Sequence, residues 1–139
     1  MFVDASAVVA ILLQEPAGEK LAAALEAAPS RRITNVVAVW EIVAALSRKK
    51  AMPIEVAQAH VANFLVAADV ETLDIATSDL PLALAAFDRC GRHRHPQAVD
   101  RNKGFNLADC FHYACARAHS VPILTTDEGF ALTDPPKVP

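Results

Sequence analysis

The sequence predicts an α/β domain with a mainly parallel sheet, and three observations carry the prediction. Short runs of strand character (Phe2 to Val3, Arg31 to Thr34, Val70 to Leu73, Val121 to Leu124) alternate with longer segments whose apolar residues recur at about 3.6-residue spacing. No connection carries the Asn-Gly or Gly-Gly signal of a tight hairpin, so strands joined through helices run parallel. Two of the strands lead to an acid at their exits, Asp4 directly and Asp127 after two threonines, and ligands of open parallel sheets gather beyond those carboxyl ends.

Phe2 and Val3 end a buried strand, and Ala5 to Leu13 follows as an apolar helix in which Asp4 is the acid at the junction. Pro16 opens a second helix with Leu21 and Leu25 on one side, and Pro29 and Ser30 close it. After the second strand, Thr34 or Asn35 caps a third helix that begins Val-Val-Ala-Val-Trp-Glu-Ile-Val-Ala-Ala-Leu. Glu41 is the only acid in that run and has no cation one turn away, so a partner must come from outside the helix. Arg48, Lys49 and Lys50 close the helix, where cations suit the negative end of its dipole. Pro53 starts a fourth, scaffold-like helix through Ile54, Ala57, Val61 and Leu65. Thr77-Ser78-Asp79 starts a fifth helix with Leu80, Leu84 and Phe87 on one stripe, and Asn106 opens a sixth whose stripe is Leu107, Cys110, Phe111, Ala114, Cys115 and Ala118. His112, Tyr113 and His119 fall at its surface or boundary. After the last strand, Thr125 to Phe130 exits into a helical turn, and the proline-rich tail over 134–139 is expected to be extended with little regular structure.

The chain is 139 residues long, which suits one domain over 1–139 with roughly two-thirds of the unfolded surface buried. Its 53% hydrophobic and 21% charged residues exclude a disordered chain. No apolar run approaches the ~18 residues of a membrane span. The first apolar segment lacks a preceding basic region and contains Asp4, which argues against a secretory signal and makes the cytoplasm the expected location. Cys90, Cys110 and Cys115 form no Cys-x-x-Cys pair and are expected to be reduced. The net charge of -3 gives no global attraction to nucleic acid, but Arg89, Arg92, Arg94, Arg101 and Lys103 gather in one loop against a single acid, Asp100.

Asp4, Asp109 and Asp127 each have an ordinary role available as a helix cap or first-turn acid. Glu41, flanked by apolar residues in mid-helix, does not. Four carboxylates meeting over one sheet edge repel each other unless protons or a cation neutralise them. A hard divalent cation with oxygen ligands, Mg²⁺ or Mn²⁺ rather than Zn²⁺, resolves that repulsion and suits phosphodiester hydrolysis. Ser6 and Thr125, each two residues from an acid, could orient a water or a phosphate oxygen, or serve as turn hydroxyls. Rival motifs are weak. The four glycines are scattered, no Gly-x-Ser-x-Gly occurs, and Cys90, His93 and His95 lack a second ligand pair at zinc spacing.

Met-Phe-Val-Asp-Ala-Ser-Ala at the N-terminus, Trp-Glu-Ile in the third helix, Asn-Leu-Ala-Asp-Cys at 106–110 and Ile-Leu-Thr-Thr-Asp-Glu-Gly-Phe at 123–130 resemble the four acidic motifs of the PIN domain. Their order and spacing across nearly the whole chain are most similar to VapC-type toxins of bacterial toxin–antitoxin pairs. The resemblance implies a three-layer α/β/α sandwich and a Mg²⁺- or Mn²⁺-dependent endoribonuclease acting on tRNA or ribosomal RNA. It places Asp4, Glu41, Asp109 and Asp127 in a metal-binding pocket, with Ser6 and Thr125 as auxiliary polar groups. It further implies a homodimer and an inhibitory VapB-type antitoxin. The basic loop, with Arg89, Arg92, Arg94, Arg101 and Lys103, would hold RNA phosphates. The loop from Gly91 to Gly104 is where the chain departs most from the family. A housekeeping PIN nuclease of RNA processing and a catalytically weak module that pairs with an antitoxin on DNA are the alternative readings.

Overall fold

The structure, a computed structural model, describes residues 1–29, 31–94, 104–134 and 137–138. Among them, five parallel strands form one sheet in the order β3-β2-β1-β4-β5. These are β1 (Phe2–Val3), β2 (Arg32–Asn35), β3 (Val70–Leu73), β4 (Ile123–Leu124) and β5 (Lys137–Val138). Phe2 pairs in register with Ile33 on one side and Ile123 on the other, so the first strand is central. All of Phe2, Val3, Ile123 and Leu124 are fully buried, as expected for a parallel sheet covered on both faces.

Helices α1 (Ala5–Leu12) and α2 (Gly18–Glu26) connect β1 to β2, while α3 (Val36–Lys50) and α4 (Ile54–Ala67) connect β2 to β3. Helices α5 (Leu80–Cys90) and α6 (Leu107–Ala118) carry the chain back across the sheet to β4. Helix α1 packs on α2 and α3, α3 on α4, and α5 on α6. Right-handed crossovers in opposite directions put these two groups on opposite faces, giving the α/β/α sandwich. The direction of winding reverses between β1 and β4. Ligands of such sheets bind at that switch point.

Asn35 caps α3, its side-chain oxygen accepting the Ala38 N–H at 2.9 Å in a fully buried setting. Asn35→Ala is expected to lower stability by about 1–2 kcal/mol, measured by urea unfolding, because a buried cap is lost. An unchanged midpoint would show that the cap contributes nothing.

Three expectations are corrected. The tail does not lack regular structure: Lys137 and Val138 pair in parallel with Ile123 and Leu124, the proline-rich approach notwithstanding, because prolines before an edge strand cost no ladder bond. The α5 stripe is not core. Leu80, Leu84 and Phe87 are half-exposed, and the buried face is Ala83 and Ala86, whose small side chains let α5 lie close on α6. Nor does α6 bury only the stripe read from its sequence. Leu107 and Ala118 are exposed, whereas Asp109, His112, Tyr113 and Ala116 are buried, because this helix is enclosed around most of its circumference. Cys90, Cys110 and Cys115 are free thiols, as expected. Among the described residues, no helix is long and apolar enough to cross a membrane.

Candidate active site

Three short backbone devices aim three carboxylates at the switch point. Asp4 is the N-cap of α1, its carboxylate accepting the Ser6 N–H. Asp109 forms a reciprocal capping box with Asn106: its Oδ2 accepts the Asn106 N–H at 2.7 Å, and Asn106 Oδ1 accepts the Asp109 N–H at 3.0 Å. Asp127 caps the 3₁₀ turn Glu128–Leu132, accepting the Gly129 N–H at 2.7 Å. The ordinary capping role thus holds for every one of them, and it is also what orients them. Phe105 and Phe130, both buried, meet with ring centroids 4.5 Å apart and tie the Asp109 and Asp127 turns together.

Asp4 is the hub. Its Oδ2 accepts the hydroxyls of Ser6 and, at 2.8 Å, Thr125. Those hydroxyls in turn accept backbone N–H groups from the turn that follows the neighbouring strand β4, Thr126 to Ser6 Oγ and Asp127 to Thr125 Oγ1, each at 3.0 Å. Ser6 and Thr125 therefore clamp the exit of β1 to the exit of β4. On its other side, Asp4 Oδ1 lies 3.0 Å from Nδ1 of His112.

His112 was expected at the surface or boundary of α6; it is fully buried. Its Nε2 lies 3.6 Å from Oε2 of Glu41, so the external partner that Glu41 required is this imidazole. Neither ring nitrogen has a well-aligned hydrogen bond, and the three groups are joined mainly by charge. One signal could have found it. His112 stands three residues beyond Asp109, and positions three apart share a helix face.

The charges respond to this arrangement. Burial by itself would raise the Asp4 pKa, but the contact and charge of His112, with the Ser6 and Thr125 hydroxyls, pull it down to about 2. Burial likewise opposes protonation of His112, yet Asp4, Glu41 and Asp109 together raise its pKa above the usual histidine value. Asp109 goes the other way. Burial, then the charges of Asp127 and Asp4, outweigh the Asn106 hydrogen bond and push its carboxyl up to about 6. Glu41 is also raised, by burial first and then by Asp4 and Asp109.

Asp4, Glu41, Asp109 and Asp127 line one open cavity of about 470 Å³. Ser6 lines it as well, whereas Thr125 is buried behind Asp4. Trp40, Arg48, Lys49 and Glu15 complete the wall and were not singled out from sequence as site residues. The basic loop is placed elsewhere. Arg89, Arg92 and Arg94 stand at the end of α5, outside the cavity; Arg94 pairs with Asp88 at 2.6 Å, and Arg92 borders an apolar groove between α5 and α6. Backbone bonds between Arg92 and Phe105 and between Phe105 and Cys90 bring that turn beside the start of α6. Arg101 and Lys103 lie outside the described residues.

The donor set fits a hard cation. It is all oxygen; Asp109 Oδ1 and Asp127 Oδ2 accept no hydrogen bond among the described residues, while Asp4 Oδ1 faces His112 Nδ1. Burial contributes most to the raised Asp109 and Glu41 pKa values, and at Asp109 the charges of Asp127 and Asp4 each add more than His112 removes. No group of three or more His, Cys, Asp or Glu among the described residues is already arranged to chelate an ion.

Comparison with known proteins gives the same picture. A family model described as the PIN domain matches residues 1–134. A Ribonuclease VapC of Mycolicibacterium smegmatis is 33% identical, with 96% of each chain covered. A VapC ribonuclease of Rhizobium meliloti is 31% identical, with 96% of this chain and 97% of the relative covered. The fold is shared with VapC20 of Mycobacterium tuberculosis, described as a sarcin-ricin loop cleaving toxin, at a TM-score of 0.68 and 18% identity over 94% of this chain and 92% of that one. It is shared too with a chain of a toxin–antitoxin complex from Klebsiella pneumoniae, at a TM-score of 0.67 and 14% identity over 99% and 95%. The sandwich, the acidic switch point and the full-length relatives agree: the chain belongs to the PIN domain family, alongside the VapC ribonucleases.

Proposed function

We propose that the chain, working as a single domain, is the toxin of a VapBC-type pair: a metal-dependent endoribonuclease that hydrolyses RNA phosphodiester bonds in the cytoplasm. The observation that carries this reading is the cavity in which Asp4, Glu41, Asp109 and Asp127 meet with their charge only partly offset. Asp109, Asp127 and Asp4 are the residues assigned to hold Mg²⁺ or Mn²⁺. When bound, the ion supplies Lewis acidity toward the phosphodiester and neutralises the carboxylates. Glu41, half-buried beside His112, is assigned to bind the ion directly or through water and to help position the attacking water. His112 holds Asp4 ionised and oriented from beneath, while Ser6 and Thr125 fix its other oxygen.

tRNA or ribosomal RNA is the assigned substrate class, and Arg89, Arg92 and Arg94, together with Arg101 and Lys103 further along the sequence, are assigned to phosphates beyond the cavity. The decisive experiment is cleavage of mixed tRNA and ribosomal RNA by purified protein with Mg²⁺ or Mn²⁺ and with EDTA. Discrete fragments that need the ion are expected. Silence from folded, metal-supplied protein would turn the reading toward a binding module. Removal of the basic loop's charge through Arg92→Ala with Arg94→Ala should weaken RNA binding and flatten its salt dependence by about 0.7–0.9 per lost phosphate contact. Unchanged binding across a salt series would remove that role.

A VapB-type antitoxin is the assigned inhibitory partner. The half-exposed Leu80, Leu84 and Phe87 with the exposed Leu107 form an apolar face suited to homodimer formation. Leu84→Glu is expected to shift sedimentation toward monomer; a variant that stays dimeric would move the interface elsewhere.

A further inference from the structure

The acids occupy one side of the cavity, and α3 contributes more to it than Glu41. Trp40, Ala44 and Arg48 follow each other at four-residue spacing, and so do Glu41, Ala45 and Lys49, so two adjacent rows of the helix face the same space. The rows begin with an aromatic ring beside an acid and end with two cations, about 12 Å along the axis. Between them lie only alanines, which leave a shallow trough. Trp40 is 69% exposed, although it sits on a helix packed against both α1 and α4. Lys49 is held by Glu15 at 2.7 Å, whereas Arg48 has no ion pair among the described residues.

We propose that this trough receives a single-stranded segment of the RNA, with Trp40 stacking on an unpaired base next to the scissile phosphate and Arg48 holding a phosphate further along the strand. The inference rests on the ribonuclease reading of the same cavity and adds the two side chains that would hold the strand there. An exposed indole offers a flat apolar face to any base, and a guanidinium matches phosphate oxygens in paired hydrogen bonds. Bases inside a duplex already stack on their neighbours and present no free face, so this wall selects loops, bulges or ends. The combination of aromatic and cation therefore favours nucleic acid.

The chain contains a single tryptophan, so its intrinsic fluorescence reports on this position alone. The full-length Asp109→Asn protein, expected to be unable to cleave, is titrated with a mixed-sequence single-stranded RNA of about ten nucleotides and with the same sequence as a duplex. Quenching by the single strand and not by the duplex is expected. Introducing Trp40→Ala should weaken single-strand binding roughly 5- to 150-fold by anisotropy of labelled RNA, and Trp40→Phe should recover most of it. Arg48→Ala should reduce the slope of log affinity against log salt by about 0.7. Equal quenching by duplex, or unaltered affinity in Trp40→Ala, overturns the proposal; RNA that binds without touching the fluorescence makes Trp40 a protein-docking residue instead. The two readings fail separately. Wild type that cleaves RNA while Trp40→Ala binds and cleaves equally well removes the stacking role alone, and quenching without cleavage by wild type in Mg²⁺ or Mn²⁺ removes the nuclease alone.

Discussion

Asp109→Asn is expected to abolish RNA cleavage and, in metal-free protein near neutral pH, to raise stability by roughly 2–3 kcal/mol. Unfolding frees a carboxyl whose ordinary pKa is 3.8 from a site that pushes it to about 6. Between those values the folded state holds more protons than the unfolded one, so stability falls as pH rises through the window and stays low above it. Asn keeps the oxygen that accepts the Asn106 N–H and carries no charge to repel Asp127 and Asp4. Thermal unfolding in EDTA at about pH 4 and about pH 7.5 tests this, with the variant several degrees more stable at the higher pH and the gap closing at the lower one. Adding Mn²⁺ should lift wild type more than the variant. A variant that melts below wild type at both pH values would show that Asp109 is not the strained member of the cluster.

Asp4→Ala is expected to have the opposite sign, a loss of about 3–5 kcal/mol, because it strips a buried imidazole of its counter-charge and α1 of its cap. Asn offers no simple rescue: its single oxygen cannot face both the Ser6 and Thr125 hydroxyls and the His112 ring. Replacing His112 with Leu in the Asp4→Ala background should recover part of the loss, since the buried imidazole no longer lacks its counter-charge, although Glu41 then loses its partner. Denaturant midpoints of the two single variants and the double variant measure the coupling, and strictly additive losses would refute it. The pH dependence follows. The depressed Asp4 pKa contributes stability above pH 3.8 that is lost as pH falls through about 2. The raised His112 pKa contributes stability below 6.5 that is lost as pH rises through its folded value. Together with Asp109, the pair makes metal-free protein firmest on the acid side of neutrality.

The fold was legible wherever burial imposes a simple pattern. Phe2 and Val3 sit in the middle of a sheet covered by helices, and a short apolar run beside a helical period marks such a strand. Asp4 and Glu41 stood out because acids inside apolar runs demand a reason, and Asp127 because it repeats the place of Asp4 after a strand. The misses share a cause too. A helix buried on one side announces its stripe, but α6 is enclosed nearly all round, and His112 looks polar until the acids on either side of it are known. The α5 stripe misled for the reverse reason: Leu80, Leu84 and Phe87 carry a helical period that faces outward, while two alanines make the contact. Arg48 and Lys49 satisfied a dipole argument so well that their line back to Trp40 and Glu41 went unread. Strand β5 is two residues long behind prolines and leaves no periodic signal at all.

The clamp between the exits of β1 and β4 also sets when the activity can first exist. Ser6 and Thr125 are 119 positions apart, so Asp4 has only its local Ser6 bonds on that side until β4 docks beside β1 and brings Thr125. Contacts this distant in sequence form late and cooperatively. During translation, a chain that has emerged only as far as α6 has three of its four acids and no clamp. The four acids therefore come together only once β4 pairs beside β1, and until then the pocket lacks both Asp127 and the clamp.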